Sequence, residues 1–329
     1  MTKQARDAGP GVAIMAAFAG VVLFGGANAI AVRQTVHELA PFWSASIRFM
    51  AAGLILAAIV LATRRRFPRG ASLLGAIAYG AVGFAGFYAF LYPGLREAPA
   101  DAAGVLLALT PLFTFGLAIA HRQERFHLQG LAGALIALTG VGLIFADQVG
   151  AHVPIGSLLL IVLGVVCVAE SAVIVRWIPR SDPFATNAIA MLTGAVLLLG
   201  LSVVTGEPRR VPTEAGTWLA LGYLVVFGSV ALFSLFVFAL QRWRASAVSY
   251  TTLLMPVVTV SLAALLTGEK VSSWFAVGGV VILAGVYVGA FLRIRPHRSS
   301  ASSAPRICSS PTPAAVGFVP LRFMAEIST

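Results

Sequence analysis

The sequence predicts an all-α polytopic membrane protein: ten transmembrane helices arranged as two inverted five-helix repeats. Three observations carry that prediction. Apolar residues make up 59% of the 329-residue chain and charged residues only 11%, where a soluble domain has roughly a quarter of its residues charged. Apolar runs of about 20 residues, the length that crosses a bilayer, recur ten times. Finally, the stretch Gly83 to Leu143 lies on Gly228 to Val288 without a gap, pairing Gly83 with Gly228, Leu95 with Leu240, Ala100 with Ala245 and Pro111 with Pro256. Thr114 pairs with Thr259, Glu124 with Glu269, Gly133 with Gly278, and Gly140-Val141 with Gly285-Val286 in the same register.

The spans follow in order from these runs. The first set is Gly11 to Val32, Pro41 to Thr63, Ala71 to Leu91, Pro99 to His121 and Leu128 to Ala146. The second is Pro154 to Val175, Phe184 to Thr205, Trp218 to Leu240, Ala245 to Thr267 and Trp274 to Leu292. Residues 1–10 precede the first span; the two repeats occupy 11–146 and 154–292. From 293 to 329 the composition turns to Ser, Ala and Pro, too poor in apolar residues to fold, so a disordered cytoplasmic tail is expected. The run after Arg6 is too long for a signal peptide and reads as the first span.

Basic residues set the orientation. Lys3, Arg6, Arg64, Arg65, Arg66, Arg69, Arg122, Arg125, Arg176, Arg180, Arg242, Arg244, Arg293, Arg295 and Arg298 all fall on one side of a ten-span arrangement. The opposite loops carry Arg33, Arg96, Arg209, Arg210 and Lys270. The positive-inside rule puts both termini in the cytoplasm. The early spans of each half also correspond, Val32-Arg33 with Val175-Arg176 and Met50 with Met191. Five spans per repeat is an odd number, so the second copy crosses in the opposite sense. Two oppositely facing copies supply two related conformations and a substrate site near the midplane between them.

These residues resemble the drug/metabolite transporter superfamily, specifically its ten-helix EamA type. The resemblance is carried by Leu23-Phe24-Gly25-Gly26-Ala27-Asn28, Arg48-Phe49, Ala98-Pro99-Ala100-Asp101 running to Pro111, Glu124-Arg125-Phe126 with Gly130 and Gly133, and Ser246-Ala247 through Pro256 to Gly268-Glu269. Phe24 stands where the family commonly has tryptophan. Within the family the chain looks most like the YddG-type branch. The resemblance implies a secondary exporter of amino acids, aromatic and other neutral ones, in the bacterial inner membrane. A multidrug or other-metabolite carrier is the alternative within transport; a membrane-embedded enzyme or scaffold is the alternative outside it.

Several residues are singled out as candidates. Asn28 and Glu170 bring polarity into symmetry-related spans, with Ser171 the mate of Asn28. Intramembrane ionisable groups usually face an interior or wet cavity, so Glu170 is read either as a site for a substrate ammonium or a proton, or as a group paired with an arginine or the headgroups. Arg48 is read as an ion pair or carbonyl clamp, with carboxylate binding as the other reading. Phe84, Tyr88 and Tyr92 share one face of the third span, where Phe84 and Tyr88 suit an aromatic-lined cavity; Tyr250 is a second cavity candidate. Pro111 and Pro256 each delete a backbone hydrogen bond and are expected to bend their helices beside the route. Glu124 and Glu269 are read as latches or helix-end caps, and Gly285 and Gly289 as a small-residue packing face.

Other chemistry finds little support. No phosphate-binding Gly-Lys-Ser/Thr loop, His-Glu-x-x-His or Gly-x-Ser-x-Gly occurs, so no enzyme activity, cofactor or metal is expected. Cys167 and Cys308 have no ligand or disulfide spacing. The net charge of +11 lies in short clusters between apolar runs, as membrane topology demands, which argues against nucleic acid. The expected partners are a small-molecule substrate and the lipid bilayer; the sequence does not give an oligomeric state.

Overall fold

The structure, a computed structural model, describes residues 11–96, 100–144, 154–179, 181–267 and 273–291, all within one compact unit. The Ala98-Pro99 junction, Glu269-Lys270, the ends of several expected spans and the Ser-Pro-rich tail lie outside the described residues. The first repeat comprises α1 (Val12–Val36), α2 (Pro41–Ala62), α3 (Ala71–Gly94), α4 in two pieces (Ala100–Leu107 and Thr110–Ala120) and α5 (Leu128–Ile144). The second comprises α6 (Ile155–Trp177), α7 (Pro183–Val204), α8 (Ala215–Leu240), α9 in two pieces (Ala245–Ser249 and Thr251–Thr267) and α10 (Ser273–Val286, continued by Tyr287–Phe291). Among the described residues nine helices are long and apolar enough to cross a membrane, and α5, the tenth, is an apolar helix of 17 residues. No strand occurs among the described residues.

The packing repeats when the halves are exchanged. Helix α1 lies against α8 and α9, and its mate α6 lies against α3 and α4; α3 meets α7 as α8 meets α2. The pairs α2 with α7, α4 with α9 and α5 with α10 map onto themselves. This is the contact pattern of an inverted duplication. Glycine makes the α5–α10 pair close: a Cβ on Gly133 would lie 2.4 Å from the Gly289 Cα, and one on Gly285 2.4 Å from the Ala137 nitrogen. The small-residue face of α10 is thus used inside the monomer, where close backbone approach gains dispersion contact.

The α2–α7 pair shows how sequence closes helix ends. Asp182 caps α7, its carboxylate accepting from the Phe184 and Ala185 amides at 2.9 and 3.2 Å, and Pro183 opens the first turn, where a missing N–H costs nothing. Helix α2 also starts with proline, but its cap position is Ala40, which has no side-chain acceptor. Glu207, just beyond α7, fills that role across the interface, accepting from the Phe42 and Trp43 amides at 3.2 and 2.9 Å. At the other end of the pair Arg65, just beyond α2, pairs with Asp182 at 2.6 Å.

Two elements depart from a plain α-helix in matching places. Gly80–Gly86 of α3 and Val226–Ala231 of α8 are π-helical, and the register of the repeat lays one upon the other. A π turn widens the helix and leaves carbonyls outside the regular ladder. Both segments sit near the middle of their spans and face the opposite half.

Candidate functional site

A buried polar junction forms where α1, α2 and α8 meet. Arg48, only 4% exposed, donates from Nε to the Ser229 hydroxyl and from Nη2 to the Gly228 carbonyl, both at 2.8 Å. Asn28 donates from Nδ2 to the same carbonyl at 3.2 Å. The acceptor belongs to the π segment of α8. Gly228 is required by this approach, because a Cβ there would lie 2.1 Å from the Asn28 Oδ1. Around it, Gly25 and Gly26 of α1 let Met255 and Val258 of α9 approach, and the Thr259 hydroxyl donates to the Gly26 carbonyl at 2.7 Å.

The mirrored junction is built alike but is less polar. Ser171 of α6 sits against Gly83 of the α3 π segment, where a Cβ would meet the Ser171 Cβ at 2.7 Å. Its hydroxyl donates to its own helix, to the Val168 carbonyl at 2.7 Å. The duplicated frame therefore carries a cation and an amide on one side only.

An aromatic column runs between the halves. Phe84 is buried, with ring centroids 4.7 Å from both Phe49 and Phe233 and 5.3 Å from Tyr79. Tyr88 is half-buried, 5.6 Å from Phe49 and 5.0 Å from Tyr92, which in turn lies 5.5 Å from Phe42 near the start of α2. The face shared by Phe84, Tyr88 and Tyr92 thus points inward. Tyr250 is placed differently from Tyr88: it is 2% exposed, its hydroxyl donates to the Gly130 carbonyl of α5 at 2.8 Å, and Gly289 of α10 makes the room. In this conformation it is a packing residue.

The two prolines act unequally. Helix α4 breaks between Leu107 and Thr110, immediately before Pro111, and the Thr110 hydroxyl donates to the Leu107 carbonyl at 2.5 Å, the oxygen whose helical donor Pro111 removes. Helix α9 runs on through Pro256 and breaks instead at Tyr250. There the hydroxyls of Ser249, Thr251 and Thr252 donate to the carbonyls of Ser246, Val248 and Ser249. The discontinuity in α9 thus lies N-terminal to the proline, where local hydroxyls satisfy the backbone.

Glu170 pairs with His121, Nε2 to Oε1 at 3.2 Å, with both side chains partly exposed. Among the described residues its ionic partner is this histidine and not an arginine. In the sequence His121 is visible only as the end of the fourth span, and the one signal for the pair is that α4 ends on the face toward which α6 runs. On that face a cavity of about 290 Å³ is lined by Gln123, Val175, Arg176, Trp177, Ile178 and Gln241. Glu124 latches the halves there: its carboxylate accepts from the Ser246 amide at 3.1 Å and the Ser246 hydroxyl at 2.5 Å, at the start of α9. Nearby, burial and then the Arg244 guanidinium push the His127 pKa below its ordinary value. On the opposite face Glu38 accepts from the Thr213 amide and hydroxyl, and these bonds hold its pKa down at about 2.

These features define a multi-pass membrane protein made from a five-span unit used twice in opposite senses, with polar groups held between the copies. The chain belongs to the EamA-like transporter family, whose sequence model matches residues 12–146 and again 155–290. The chain is similar to the "uncharacterized inner membrane transporter YedA" of Escherichia coli strain K12, 28% identical over 80% of this chain and 86% of that one. It is also similar to a "probable amino-acid metabolite efflux pump" of Salmonella typhimurium, 27% identical over 84% of this chain and 94% of the relative. One solved crystal structure superposes with a TM-score of 0.74 at 21% identity, covering 85% of this chain and 99% of that one, which shows a shared fold.

Proposed function

We propose that this transporter exports amino acids, aromatic and other neutral ones foremost, or similar small metabolites, across a bacterial inner membrane by alternating access. The observation that carries the reading is that the family match covers both five-span repeats. An inverted repeat has two related conformations in which each half takes the other's role. The name of the Salmonella relative supports amino acids as cargo. The arginine-rich loops support a topology with both termini in the cytoplasm, which makes the face bearing the His121–Glu170 pair the cytoplasmic one.

In this reading Asn28, Phe84, Tyr88, Glu170 and Ser171 line the route, and Phe84 closes it by packing between Phe49 and Phe233. Arg48 ties the α8 π segment to α2, Tyr250 ties α9 to α5, and the breaks near Pro111 and ahead of Pro256 serve as bends. Glu170 takes up a proton or a substrate ammonium when it leaves His121. The test is uptake of radiolabelled neutral amino acids into proteoliposomes with and without a pH gradient, using a sugar and a cationic dye as controls. Saturable amino-acid flux is expected, with a pH dependence that Glu170→Gln flattens. Flux of the dye alone assigns a multidrug carrier, and an unchanged pH profile in Glu170→Gln refutes the role given to that carboxylate.

A further inference from the structure

We infer that Arg48 and Asn28 form a recognition site for the zwitterionic head of an α-amino acid, the guanidinium taking the carboxylate and the Asn28 side-chain oxygen the ammonium. The inference rests on the amino-acid reading above and adds which atoms read the cargo. Arg48 lies roughly 10 Å along α2 at 1.5 Å of rise per residue and is buried. Among the described residues it forms no ion pair with a carboxylate. Its partners are neutral: the Ser229 hydroxyl, the Gly228 carbonyl and the face of Phe49, 4.9 Å from the guanidinium carbon. Neutral acceptors satisfy two of five N–H donors but leave the charge uncancelled. An uncompensated charge inside a membrane span is expensive and is usually retained for a charged partner.

Asn28 supplies the complementary half. Its Nδ2 is spent on the Gly228 carbonyl, while its Oδ1 is buried with no hydrogen-bond partner, a state in which the acceptor has lost its water without replacement. Because Arg48 and Asn28 donate to one carbonyl oxygen, the idle acceptor and the uncancelled cation are neighbours. An α-amino acid carries a carboxylate and an ammonium on a single carbon and so matches both needs at once. A cationic drug offers no carboxylate and is repelled by Arg48. When the carboxylate replaces Ser229 and Gly228 as acceptor, the clamp on the α8 π segment is released, which couples occupancy to movement of that helix.

The test uses full-length protein in proteoliposomes. Flux of the standard amino acids is measured first; for each one carried, competition by the acid, its carboxamide and its decarboxylated amine is compared. The amide and the amine are expected to compete at least tenfold more weakly than the acid. Arg48→Lys, which keeps the charge but loses the two-pronged geometry, raises the half-saturating concentration at least tenfold. Asn28→Ala weakens the amino acid at least fivefold but leaves the matching desamino acid unchanged. Should either variant fail to fold, the wild-type competition decides alone. Amide or amine competing as well as the acid overturns the Arg48–Asn28 site while leaving amino-acid transport standing; absence of any amino-acid flux overturns both.

Discussion

At the residue scale, Gly228 carries the tightest constraint of the polar junction. A methyl group there would force the Asn28 side chain aside, since its Oδ1 lies 2.1 Å from the place the methyl would take and the backbone carbonyl is held by Arg48. Overpacking of this kind costs about 1–3 kcal/mol. Gly228→Ala is expected to lower stability in detergent by that amount, and adding Asn28→Ala is expected to restore much of it, because residues in contact couple. Additive losses in thermal unfolding of the single and double variants would show that the two residues do not share this space. Gly228 as a repeated position and Asn28 as a polar residue in an apolar run were legible in the sequence. Their hydrogen bond was not, because nothing in the periodicity of α1 or α8 says which rotation faces which across 200 residues of chain. The same limit hid the His121–Glu170 pair: each residue is visible alone, and only tertiary packing joins them.

At the scale of elements, helix ends are stabilised by groups from the other half. Glu207 does for α2 what Asp182 does for α7 within its own helix. Where α8 begins, Glu38 from the loop after α1 binds Thr213 and Glu214. The Thr213 hydroxyl and then its amide lower the Glu38 pKa from the ordinary 4.5 to about 2. A depressed carboxyl pKa adds stability that is complete above the unfolded value and fades as pH falls through the folded one. Wild type is therefore expected to melt above Glu38→Gln at pH 7, with the gap closing between pH 4.5 and pH 2; a gap independent of pH would mean the ionised carboxylate contributes nothing. Spans and small-residue faces could be read from the sequence because each is written in one stretch of apolar period. The π segments and the break at Tyr250 could not, since a widened turn is set by what packs on it. Pro256 marked the right helix but the wrong turn.

At the scale of the molecule, the principal contacts between the halves have counterparts under exchange of the halves, yet the chemistry is unequal. Arg48 and Asn28 stand on one side of the pseudo-symmetry and Glu170 with His121 on the other. Alternating access asks each face to open in turn, and both are latched in this structure, by Glu124 on Ser246 and by Glu38 on Thr213. The most direct measurement of that account is flux through cross-linked protein. In a chain with Cys167 and Cys308 replaced by serine, cysteine pairs at positions 124 and 246, or at 38 and 213, are bridged by a short thiol-reactive linker in proteoliposomes. The account predicts that a bridge at either face alone stops amino-acid flux, whereas single cysteines treated alike do not. Undiminished flux with either face fully bridged would contradict it.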